Sequence, residues 1–256
     1  MRRRIPVVAN LTKAFGSLSV VIPVYNAEKE VATTLDEVQG YLESSGVPNE
    51  ILVVADGNTD RTAEIVRERG RSVQLLCNET NRGKGFSVRR GMMTSKMAWA
   101  LFMDVDHSTR IENLDAFAEH AESVDVIIAS RRVAGAKIVR EQQRIRQALG
   151  KTFPYVVRAL LLPEISDTQC GFKLFRRSAV ESIFPAQRVE RFAFDVELLL
   201  LARSLGLRIQ EVPVDWDNPT SSTLRIGRDA SRMLLDVFKL FWRFRILNET
   251  PDRTEG

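Results

Sequence analysis

An apolar run, Ala100-Leu101-Phe102-Met103, ends in two carboxylates one residue apart, Asp104 and Asp106, with Val105 between them. On a strand, residues i and i+2 face the same side, so the two acids project together, about 7 Å apart along the backbone. Like charges so placed repel unless a cation sits between them. A carboxylate pair is a hard-oxygen donor set. It suits Mg2+ or Mn2+, which take one or two protein carboxylates and share the rest of their coordination with water and substrate phosphates. Paired carboxylates also hydrolyse glycosides, but that chemistry needs two acids facing each other across a bond, usually from separate elements. The spacing therefore predicts a metal–diphosphate site.

Other polar residues fall at comparable places. Pro23-Val24-Tyr25-Asn26, Asp56-Gly57-Asn58 and Arg131 each follow an apolar run. Ligands of open α/β sheets bind outside the carboxyl ends of the strands, so these positions converge on one edge if the runs form one sheet.

The elements that would position them alternate. Residues 18–24, 50–56, 72–78, 98–104 and 124–130 are continuous apolar runs, as strands covered on both faces are. Amphipathic helices are predicted near 28–44, 60–69, 84–95 and 111–122. Such alternation gives a mostly parallel sheet with helices on both faces. Beyond Ser130 the rhythm changes: a helix over 140–162, a loop running into a strand over 167–175, a helix over 193–206 stopped by Gly206, a strand over 208–216, a polar loop over 218–224 and a helix over 226–246.

Composition narrows the function. The 256 residues are 44% hydrophobic and 27% charged, which excludes wholesale disorder, and the net charge of +4 hides basic clusters at Arg2–Arg4 and between Arg225 and Arg245. Clustered cations point to phosphates, in a nucleotide, a nucleic acid or a lipid surface. Nucleic acid is disfavoured, because the cations are not interleaved with a stacking platform and no helix-turn-helix or zinc motif occurs. Cys77 and Cys170 form no CxxC or Cys/His grouping, which argues against zinc or a disulfide framework. Cys77, in "VQLLC", is expected to be a buried thiol. The default compartment is the reducing cytoplasm. The basic start lacks the apolar core of a signal peptide, and no apolar stretch approaches 18 residues, so no membrane-crossing helix is expected.

At this point a resemblance enters. "VVIPVYN", "VVADGNTDRT", "NRGKGFSVRRGM", "FMDVDHST", "IIASR", "DTQCGFKLF" and "ERFAFDVELL" stand in the order and spacing of inverting nucleotide-sugar glycosyltransferases of the GT-A fold, family two. The later blocks resemble one branch, the dolichyl-phosphate glucosyltransferases and related polyprenyl-phosphate enzymes. The resemblance implies a Rossmann-like GT-A domain that moves a hexose, glucose foremost, from a nucleotide-sugar such as UDP-glucose to a polyprenyl or dolichyl monophosphate. It implies that Pro23, Tyr25, Glu28, Asp56, Lys84 and Val105 contact the nucleotide, with Asp56 accepting the uracil imide proton. It implies that Asp104 and Asp106, joined by Ser108, hold the metal. Arg131 and Arg144 would bind the acceptor phosphate or the departing diphosphate, and Asp195 and Glu197 would line the sugar pocket. Three departures stand out. Ala55 replaces one of two paired acids, His107 replaces an apolar residue, and no counterpart of the eukaryotic enzymes' membrane-anchoring segment is expected among these residues. Two alternatives stay open: a soluble enzyme of the same fold acting on a small phosphorylated acceptor, and a non-catalytic nucleotide-sugar-binding protein, supported by Ala55.

The last helix carries an apolar stripe at Ile226, Ala230, Met233/Leu234, Val237, Phe241 and Phe244, with Arg228, Arg232, Lys239, Arg243 and Arg245 supplying charge. Leu240, Trp242 and Ile246 widen it. It is a candidate interfacial helix on an anionic membrane, or else a core-packing helix with a basic outer face. The expected organisation is a basic arm (1–16), a GT-A domain (17–225), this amphipathic helix (226–247) and a disordered tail (248–256). The chain is expected to be cytoplasmic and peripheral at the inner membrane face.

Overall fold

A computed structural model describes residues 10–138, 153–217 and 226–249, the first five of the last stretch as backbone only. The strands are β1 (Leu18–Val24), β2 (Asn49–Asp56), β3 (Gln74–Asn78), β4 (Trp99–Met103), β5 (Val126–Ser130), β6 (Lys137–Ile138), β7 (Phe172–Arg176), β8 (Ile209–Pro213) and β9 (Asp215–Trp216). The helices are α1 (Leu11–Phe15), α2 (Val31–Ser45), α3 (Thr62–Arg67), α4 (Lys84–Thr94), α5 (Leu114–Ala118), α6 (153–160), α7 (Arg177–Ile183), α8 (Phe194–Ser204) and α9 (Ile226–Phe241).

Seven strands form one sheet in the order β3-β2-β1-β4-β7-β5-β8. All neighbours are parallel except β7, which runs antiparallel between β4 and β5. β6 and β9 make a separate two-stranded piece. Alternate side chains serve opposite faces: Val20 and Ile22 join one core cluster with Leu35 and Phe117, while Val21 joins the other with Met92, Phe194 and Leu198. The continuous apolar runs of β1 and β4 follow from this two-sided burial.

Several expectations change. β3 is an edge strand with one neighbour, so Cys77 is exposed rather than buried. The expected helix over 111–122 is a 3-10 turn, Ile111–Asn113, followed by the short α5. α7 went unpredicted. Leu11 and Phe15 of α1 are buried in the core, so the packed body takes in residues before 17. Glu249, assigned to the tail, pairs with Arg188 and Arg243. Arg144 and the polar loop 218–224 lie outside the described residues.

Candidate active site

The site is built at the carboxyl ends of β1, β2 and β4. The Asp104 N–H donates to the Gly171 carbonyl (3.0 Å), so the β4–β7 ladder reaches into the loop that holds the acid. A Cβ on Gly171 would lie 2.0 Å from Asp104 Oδ2, so only glycine lets "DTQCGF" approach the carboxylate this closely. Lys84, at the first position of α4, places its Nζ 2.5 Å from Asp104 Oδ1. Burial works against the lysine's charge, but Asp104, Asp195 and Asp106 outweigh it, and its pKa is raised. Asp106 is pushed up by burial and then by Asp104, and it accepts the Ser108 N–H at 3.0 Å. The turn is pinned from outside. His107 adopts φ 59° and contacts Thr34 (Nε2–Oγ1, 2.9 Å) and Glu37 (Nδ1–Oε2, 3.0 Å), while Thr34 donates to the Val105 carbonyl.

These residues fit a hard divalent cation. The two acids are carboxylates at one strand end, Asp106 is poorly stabilised as an anion, and the Ser108 hydroxyl bonds to it. Among the described residues no cluster of three or more His, Cys, Asp or Glu could hold a metal by itself, so the rest of the coordination sphere would come from phosphate and water.

Asp56 is held by three donors. Its Oδ1 accepts Asn78 Nδ2 (2.7 Å) and Arg82 N–H (2.9 Å), and its Oδ2 accepts Gly83 N–H (2.8 Å). The carboxylate is buried and spent on the loop that launches α4. Gly83 there has φ 110°, a conformation that suits glycine. Asp56 therefore braces the loop that carries Lys84. Glu28 likewise braces loops, accepting the Arg61 N–H at 3.2 Å, and Pro23 is buried within β1, whereas Tyr25 stands exposed just beyond it. Asn58 has both amide atoms buried without a hydrogen-bond partner, as are Thr168 Oγ1 and Gln169 Nε2. Of these, Asn58 was marked from the sequence as a polar residue at a strand end, and Thr168 and Gln169 were given no role.

Asp195 and Glu197 part company, because two residues along a helix turn side chains to different faces. Asp195 pairs with Lys173, which also donates to the Cys170 carbonyl at 2.6 Å. Burial raises the Asp195 pKa against the pull of Lys173 and Lys84. Glu197 does not join this cluster. It accepts the Arg188 and Val189 N–H groups (2.9 and 2.6 Å) and pairs with Arg243, so it fastens the 186–191 segment and the C-terminal helix instead of lining a sugar pocket. Lys173 was missed, although a lysine flanked by Phe172 and Leu174 in a strand is itself a signal: it is fully buried and a charge there needs a partner.

Arg131 is clamped. Its Nε and Nη2 donate to Asp167 at 2.7 and 2.9 Å, its backbone N–H adds a third bond, and its guanidinium lies 5.3 Å from the Trp216 ring centre. Burial opposes the Asp167 charge, but Arg131 holds the acid well below the usual carboxylate range.

The sheet thus carries two acids, a lysine and a clamped arginine along its carboxyl edge. The model of glycosyl transferase family 2 matches residues 19–184, and this chain belongs to that family and is a glycosyltransferase. Dolichyl-phosphate beta-glucosyltransferase ALG5C of Trichomonas vaginalis is 34% identical over 239 residues, covering 88% of this chain and 71% of that one. The dolichyl-phosphate beta-glucosyltransferase of Drosophila melanogaster is 34% identical over 250 residues, covering 88% and 77%. Glucosyl-3-phosphoglycerate synthase from Mycobacterium tuberculosis, solved with Mn2+ and uridine-diphosphate-glucose, shares the fold: TM-score 0.68 at 16% identity over 94% of this chain and 84% of that one.

Proposed function

We propose that this chain transfers glucose from UDP-glucose, with inversion, to a polyprenyl or dolichyl monophosphate at the cytoplasmic face of a membrane. The observation that carries the reading is the convergence of Lys84, Asp104, Asp106 and clamped Arg131 in a chain similar over most of its length to dolichyl-phosphate beta-glucosyltransferases. Asp104, Asp106 and Ser108 would hold Mg2+ or Mn2+, which supplies charge stabilisation to a departing diphosphate when bound. Lys84 keeps a positive charge beside the same position. Arg131, oriented on Asp167 through Nε and Nη2, would offer its remaining N–H groups to an acceptor phosphate. A lipid monophosphate, with its second pKa about 6, is mostly dianionic at neutral pH. It needs cations to overcome repulsion between two phosphates more than it needs a base.

The test is to incubate the purified chain with Mn2+, a panel of UDP- and GDP-sugars, and either polyprenyl phosphate or 3-phosphoglycerate, and to weigh the products. A hexosyl lipid phosphate, formed best from UDP-glucose and with the opposite anomeric configuration, is expected. Transfer to 3-phosphoglycerate alone would assign the site to a small soluble acceptor.

A further inference from the structure

Helix α9 and the π-helical turn Trp242–Ile246 that continues it are apolar on two faces. Inward, Val237, Leu240 and Phe244 are buried in the core cluster that holds Val157 and Leu161. Outward, Leu235, Phe238, Trp242 and Ile246 are 60%, 62%, 59% and 49% exposed. They follow at intervals of three, four and four residues, the spacing that sets side chains on one helical face. Packing on the domain explains one apolar stripe and predicts a polar one opposite. Single exposed apolar residues are ordinary, but an aligned run of them marks an interaction surface.

The charges beside the stripe indicate what covers it. Between Ser231 and Ile246 the sequence has one acid, Asp236, against the cations Arg232, Lys239, Arg243 and Arg245. Arg243 is turned inward onto Glu197, and Asp236 pairs with Lys239 at 3.6 Å. Arg232, Lys239 and Arg245 are exposed. Cations bordering an apolar stripe that includes Trp and Phe match an anionic lipid surface, where the rings enter the acyl boundary and the cations meet phosphates.

We propose that the outer face of α9 and its last turn seats this chain on an anionic bilayer, with Leu235, Phe238, Trp242 and Ile246 inserted and Arg232, Lys239 and Arg245 among the headgroups. The seat is connected to the site through hydrogen bonds and an ion pair. Arg243 and Glu197 tie the helix to the 186–191 segment, whose Glu190 carbonyl accepts the Phe86 N–H at 3.0 Å in the first turn of α4. Docking therefore sets the height of Lys84 and its neighbours above the lipid. The purpose of such a seat rests on the lipid-phosphate reading.

The test uses the full chain and phosphatidylcholine vesicles with or without phosphatidylglycerol. Trp99 and Trp216 are buried, so a blue shift of emission on adding vesicles reports Trp242. The native chain should sediment with the phosphatidylglycerol vesicles and show that shift, and high salt should weaken binding without abolishing it. The double variant Phe238→Ser/Trp242→Ser should lose about tenfold or more in partitioning. Its melting temperature and its affinity for UDP should stay native. No sedimentation by the native chain, or equal sedimentation by the variant, would overturn the proposal. So would a dimer in solution that the double variant dissociates, which would give the stripe to a second copy. Vesicle binding without any hexosyl lipid product would leave the docking face standing and remove the acceptor reading. Transfer to lipid phosphate without vesicle binding would do the reverse.

Discussion

The Lys84 ammonium and the Asp104 carboxylate meet at 2.5 Å, one from the first turn of α4 and the other from the end of β4. The lysine thus competes with any divalent cation for Asp104. Lys84→Met should bind Mn2+ more tightly than the native chain without nucleotide, by calorimetry, while sugar transfer falls about a hundredfold for want of the charge beside the diphosphate. Unchanged Mn2+ affinity would show that the pair does not occupy the metal position.

Asp56 makes a separable prediction. Removing its carboxylate strands the Arg82 and Gly83 N–H groups and the Asn78 amide. Asp56→Ala should cost on the order of 3 kcal/mol. That lowers the melting temperature by roughly 6–12 °C for a chain of this size. A native melting temperature would show that these bonds do not brace the loop.

Lys173 and Asp195 are a buried pair, so breaking it differs from replacing it. Lys173→Met leaves a buried acid unpaired and should destabilise the fold by about 3–5 kcal/mol. Lys173→Met/Asp195→Leu should recover most of that in denaturant titration. A double variant as unstable as the single one would mean that packing of the lysine stem, not its charge, matters.

The Arg131–Asp167 clamp predicts an acid dependence. Asp167 has a folded pKa below its unfolded value of about 3.9. Its contribution is therefore fully present above that value and lost as pH falls through the folded one. Asp167→Asn should be less stable than the native chain at pH 7 and lose less stability between neutral pH and pH 3. Parallel stability curves would place the ion pair outside the acid response.

Cysteine reactivity follows from burial. Burial pushes the Cys170 thiol up to about 11, whereas Cys77 lies exposed on the sheet edge. At pH 8 the native chain should titrate one thiol and the unfolded chain two. Two reactive thiols in the native chain would show that the "DTQCGF" loop opens readily.

Much of the architecture was legible because periodicity reports burial directly. The unbroken apolar runs of β1, β2, β4 and β5 announced strands covered on both sides. Asp104-x-Asp106 was readable as an acid pair at a strand end, but β4 stops at Met103, so the two acids stand on the turn that follows and share no strand face.

Other features depended on which distant segment arrives within hydrogen-bonding reach. That Asp56 braces a loop is invisible until residues 78–83 bring three donors to it. Glu197 reads as a pocket acid until Arg243, 46 positions later, reaches its buried face. Cys77 reads as buried until the sheet order leaves β3 on the edge. An apolar side chain needs only to leave water, which local spacing records. A polar one needs a particular partner at about 3 Å, and that partner is supplied by the tertiary structure alone.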